Sequence, residues 1–98
     1  EGGDTPDGFV LEQNYPNPFN PVTVIRYALP ASGSAITGKV VLKVHNLLGE
    51  TVATLVDGEV EAGTHKVSFD ATGLNSGIYF YTLTANGKTQ SRKMTLLK

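Results

Sequence analysis

Apolar and polar residues alternate one by one along most of this chain, and no window shows the three- and four-residue spacing of an amphipathic helix behind a capping box. Thr23, Ile25, Tyr27 and Leu29 alternate with Val24, Arg26 and Ala28. Val40, Leu42 and Val44 alternate with Lys39, Val41, Lys43 and His45, and His65, Val67 and Phe69 with Lys66 and Ser68. Tyr79, Tyr81 and Leu83 alternate with Ile78, Phe80 and Thr82, so this last run is apolar on both faces, as expected of a central strand with a second covering layer. Asn86-Gly87 between two such runs predicts a two-residue type I′ hairpin, because both positions tolerate positive φ. Asn46-Leu47-Leu48-Gly49 fits a type I turn ending in glycine and predicts that the strands around Val44 and Val52 are joined. Asp57-Gly58 and Ala62-Gly63 bracket a longer connection. With a short strand over Phe9–Glu12 and a final one over Thr89–Lys98, seven strands are expected, at spacings typical of an all-β sandwich.

Leu11 to Pro21, LEQNYPNPFNP, breaks the alternation. Pro16, Pro18 and Pro21 each remove a backbone donor and push the preceding residue toward extended geometry, so the segment is neither helix nor central strand. It nevertheless carries two large aromatics, Tyr15 and Phe19, which a plain linker does not need. A rigid, donor-poor segment of this kind is suited to lie across a sheet, with both rings buried beneath it and its three asparagines closing local turns.

Composition narrows the function more than it names it. The length of 98 residues allows one domain with a small core, and Glu1–Gly8 has linker composition, so residues 1–8 are expected to be a linker and 9–98 the domain. The chain begins at Glu1 without methionine and reads as a piece of a longer polypeptide. A formal net charge of −1 gives no overall attraction to nucleic acid or anionic membrane, and no run approaches the length of a membrane span. The charge is unevenly placed: residues 1–61 carry eight acids against three bases, and residues 62–98 one acid against five bases. No cysteine is present, which removes disulfides, thiol chemistry and cysteine-zinc sites.

Candidate chemistry is sparse. His45 and His65 both fall on strands without metal-ligand spacing, and Asp57, Glu59 and Glu61 read as a solvated, self-repelling connection rather than a calcium site. No nucleophile elbow, phosphate-cradling loop or dinucleotide fingerprint occurs, and neither catalysis nor a cofactor is expected. The bases Lys88, Arg92, Lys93 and Lys98 are not interleaved with exposed aromatics as a nucleic-acid platform requires. Arg92, Lys93 and Lys98 can instead protect an exposed edge of the last strand, or be read by a partner.

The stretch LEQNYPNPFNPVTVIRYALP is similar to the opening of the C-terminal sorting domains of the type IX secretion system. The likeness continues through Val44-His45-Asn46-Leu47-Leu48-Gly49-Glu50, Thr54-Leu55-Val56, Ala62-Gly63-Thr64-His65, Gly77-Ile78-Tyr79-Phe80-Tyr81 and Lys93-Met94-Thr95-Leu96-Leu97-Lys98, with His45 where a tyrosine is common. It runs from Phe9 to Lys98, and a more distant likeness joins it to the Ig-like domain of flagellar hook-capping proteins. Leu74 to Tyr79 also resembles the corner before a late strand of Ig-like domains, which assigns Tyr79 a hydroxyl bond to upstream backbone.

The fold expected is therefore a seven-stranded antiparallel Ig-like β-sandwich of Greek-key type, with Tyr27, Leu42, Val44, Val67, Phe69, Tyr79, Tyr81 and Leu83 in or near its core. The resemblance implies a non-enzymatic address that takes an upstream cargo through the periplasm of a Gram-negative cell to its surface or beyond. The implied partners are the translocon and a sortase-like peptidase that removes the domain ahead of Phe9 and can attach the cargo to surface lipopolysaccharide. Nucleic acid, membrane insertion and self-association are not expected. Recognition is assigned to Lys93, Met94, Leu96, Leu97 and Lys98, and structural roles to Tyr15, Pro16, Pro18, Phe19, Gly77 and Tyr79. Two other readings compete: a carbohydrate-binding or adhesive module, which requires exposed aromatics in a line or a bound calcium, and a structural spacer.

Overall fold

A computed structural model describes residues 9–29, 39–85 and 87–98. It contains the strands β1 (Val10–Leu11), β2 (Val22–Leu29), β3 (Val40–His45), β4 (Thr51–Gly58), β5 (Gly63–Asp70), β6 (Gly77–Ala85) and β7 (Lys88–Leu96). They form a three-stranded sheet of order β1-β2-β5 and a four-stranded sheet of order β4-β3-β6-β7, with every strand pair antiparallel. Successive strands change sheet between β2 and β3, β4 and β5, and β5 and β6. This is the expected seven-stranded sandwich of Ig-like type.

Alternation places the core between the sheets. Thr23, Ile25, Tyr27 and Leu29 face inward from β2, Val40, Leu42 and Val44 from β3, and Tyr79, Tyr81 and Leu83 from β6, all buried. Phe69 joins them, and Val67 packs against the cluster half-buried. Strand β4 departs from the pattern: register shifts at Leu42/Lys43 and Val44/His45 bulge its pairing with β3, and its burial no longer alternates.

Among the described residues no second layer lies over the outer face of β6. Ile78, Phe80, Thr82 and Thr84 are half-buried there, and Phe80 lies in register between His45 of β3 and Lys93 of β7. The shielding that the described residues give this face comes from lateral neighbours within the same sheet.

The turns follow their local chemistry. Gly49 N donates to Asn46 O (3.0 Å), and the Asn46 side-chain oxygen accepts from Leu48 N (2.9 Å) and Glu50 N (3.0 Å). Ala85 pairs with Lys88 around a two-residue loop, and Gly87 has φ of 76°, the positive value expected; Asn86, the other half of that expectation, lies outside the described residues. The linker expected over residues 1–8 also lies outside them. Before β6, Tyr79 Oη donates to Asn75 O at 2.7 Å, which is the corner anticipated from sequence.

Candidate functional site

Strand β7 is the natural place to look for recognition, and its surroundings begin with the proline-rich segment. That segment does not lie across a sheet; it runs along the sandwich margin and changes sheet partway. Tyr15 exchanges two 3.0 Å backbone bonds with Val24 on β2, and Phe19 then bridges Leu96 on β7 in parallel. Bridged residues share a sheet face. Val24 faces solvent, so Tyr15 does too and is 81% exposed, contrary to the expectation that its ring is buried. Leu96 faces the core, so Phe19 is 2% exposed and meets Phe69 at 6.1 Å between ring centroids, as expected.

Flanking these two aromatics, Asn14 and Thr23 are buried polar residues, and Asn14 closes a local turn, as its residue type predicts. Asn14 Nδ2 donates to Pro16 O (3.1 Å) and Thr23 Oγ1 (3.0 Å), and Thr23 Oγ1 donates to Pro16 O (2.9 Å). This small network fixes the bend at Pro16 and leaves no buried side-chain polar atom without a partner among the described residues. Pro18 stands exposed one residue before Phe19.

Seven hydrogen bonds then tie residues 9–19 to residues 90–97. Gln90 donates to Phe9 O (2.8 Å) and accepts from Leu11 N (3.1 Å), and Arg92 Nε donates to Leu11 O (2.6 Å). Gln13 Nε2 donates to Lys93 O (2.7 Å), and Thr95 N donates to Asn17 Oδ1 (3.0 Å). Phe19 N donates to Thr95 O (3.0 Å), and Leu97 N donates to Phe19 O (2.9 Å). The outward edge from Lys93 on β7 to Leu97 just after it is thus occupied by the chain itself. Asn17 serves a strand 78 residues away instead of closing a local turn.

The five residues assigned to recognition divide by face. Met94 and Leu96 are fully buried, whereas Lys93, Leu97 and Lys98 are exposed. Gly77, with φ of 151°, opens β6 directly opposite Leu96. Beneath this edge Tyr81 Oη donates to Glu12 O at 2.6 Å. Burial pushes its pKa up to about 12, against the opposing pull of a backbone bond from Asn14 and the charge of Arg92.

Elsewhere the polar groups have ordinary structural partners. His65 Nε2 bonds Glu61 O (2.7 Å) and its ring stacks on Tyr27, while His45 Nδ1 meets Thr51 Oγ1 at 3.4 Å. Asp57 pairs with Lys39 at 3.4 Å. Asp70 is held below the usual carboxylate range by side-chain and backbone bonds from Thr72. Among the described residues no group of three or more histidines and carboxylates is placed to hold a metal ion, and no helix is long and apolar enough to cross a membrane.

No curated protein matches the chain. A family model described as the secretion system C-terminal sorting domain matches residues 13–96, which takes in the proline-rich segment from Gln13 onward, the Asn46 turn, the Tyr79 corner and all of β7. With that match over most of its length, the chain belongs to the family of type IX secretion C-terminal sorting domains.

Proposed function

We propose that this domain carries an upstream cargo through the periplasm and across the outer membrane of a Gram-negative cell, and that the translocon reads it folded, at the outward strip of β7. Lys93, Leu97 and Lys98 are the residues read. Met94 and Leu96, buried beneath them, hold the strand in place. The domain itself does no chemistry. A sortase-like peptidase then cuts between residues 1 and 8, frees the cargo from residues 9–98 and can attach it to surface lipopolysaccharide.

One observation carries the assignment to β7. Lysines on an edge strand ordinarily keep other chains from pairing with it. Here the backbone groups of Lys93, Thr95 and Leu97 are already bonded by Gln13, Asn17 and Phe19, so that protection is supplied without them. Lys93 and Lys98 remain as exposed cations with no ion pair among the described residues. The carbohydrate-module reading has less support, because Tyr15 is the single aromatic among the described residues that is largely exposed.

Lys93→Glu combined with Lys98→Glu tests the proposal, since both side chains lie at the surface and their replacement disturbs little packing. A passenger carrying this variant should stay in the periplasm while the domain keeps its melting temperature. Export at the normal rate would return the lysines to a passive surface role.

A further inference from the structure

Three of the five large apolar side chains exposed among the described residues gather at one end of the four-stranded sheet. They are Leu47 (67% exposed), Leu48 (83%) and Leu97 (52%). Strands β3 and β7 both run toward this end, so the β3–β4 turn and the residues after Leu96 emerge side by side. Only β6 separates them, a lateral distance of two strand spacings or about 10 Å. A shallow depression fills part of the interval, bounded by Leu47 and Leu48 on one side and by Gly77 and Ile78 on the other. Gly77 and Ile78 are in turn the register partners of Leu96 and Thr95.

Single exposed leucines on a surface need no explanation, but two on a turn this firmly held do. The Asn46 main chain and side chain bond Gly49 and Glu50 at 3.0 Å and Leu48 at 2.9 Å, and Asn46 Nδ2 donates to the Glu50 carboxylate at 2.8 Å. The leucines are thus presented in a fixed position while adding nothing to the core. A pre-ordered apolar side chain loses little entropy on binding, which is the property of an interface anchor. Glu50 is held by a hydrogen bond from the neutral Asn46 amide and keeps its charge on the turn, and the exposed cations at this end are Lys93 and Lys98.

We infer that Leu47 and Leu48 form a second contact with the receptor that reads β7. The occupant is a protein surface with an apolar pocket for the turn and carboxylates beside it for Lys93 and Lys98. The inference rests on the reading of β7 as the recognised strand, and adds that recognition takes the whole end of the sheet instead of one strand.

The test is Leu47→Ser with Leu48→Ser in a passenger fusion carrying the whole chain, compared with the double lysine variant in the same host. The leucine variant should melt at the parent temperature and slow the appearance of the passenger at the surface by about tenfold. Leu47→Met with Leu48→Met should restore export, since the apolar contact is kept. If the lysine variant is stranded and the leucine variant exports normally, the second contact is wrong and the reading of β7 stands. Normal export of both removes the two together. The receptor assignment is also overturned if the purified chain sediments with phosphatidylethanolamine–phosphatidylglycerol vesicles, or self-associates in ultracentrifugation, through these leucines.

Discussion

Phe19 and Tyr15 stand four residues apart in one proline-rich segment, yet one is 2% and the other 81% exposed. Each takes the orientation of its bridge partner, Leu96 inward and Val24 outward. That outcome was half legible: the prolines announce a special segment, but with no ladder through them there is no alternation from which to read which ring turns inward. Truncating Phe19→Ala should cost about 3–5 kcal/mol, the range for a buried phenylalanine, and urea unfolding measures it directly. A negligible change would remove Phe19 from the core. Tyr81 supplies a pH dependence. Its hydroxyl pKa is raised from 10.0 to about 12 by burial, so the unfolded chain gives up its proton first. The neutral phenol's contribution is therefore complete below pH 10 and is lost progressively as pH rises to about 12. The urea midpoint should fall over that interval, and Tyr81→Phe should flatten the fall; an equal slope in both proteins would show that another group is responsible.

At the scale of elements, strand positions and inward faces were readable because period two is local and each strand buries one face against the opposite sheet. Turns were readable for the same reason, with Asn46 and Gly87 acting on their immediate neighbours. Two things were not. The bulges that break the alternation of β4 depend on its pairing with β3. The partnership between residues 9–19 and β7 joins positions about eighty apart, and side chains such as Gln13, Asn17 and Gln90 look like plain surface polars in sequence. This clasp explains how an edge strand stays ordered without another strand beside it. Asn17→Ala should accordingly speed hydrogen exchange at the Thr95 amide, and destabilise by about 1 kcal/mol, the usual worth of one hydrogen bond. If Thr95 exchanges as slowly in the variant, the clasp does not protect the edge.

On the scale of the whole molecule, the domain makes one end of its four-stranded sheet distinctive. Lys93 and Lys98, the exposed leucines of the β3–β4 turn and the end of β7 meet there, while ordinary structural bonds account for the histidines and the Asp57 carboxylate. The family was legible because its marks are the segments that build this arrangement: the proline-rich clasp, the Asn46 turn, the Tyr79 corner and the final strand. Which face meets the partner was not, because burial divides the five residues assigned to recognition between core and surface. The central claim, that this chain is a type IX sorting signal, is tested most directly by fusing it to the C-terminus of a fluorescent passenger. The readout is protease-accessible passenger in paired strains with and without the translocon. The account predicts surface or extracellular passenger in the intact strain and periplasmic retention when the translocon is removed. Equal surface display in both strains, or retention in both, would contradict it.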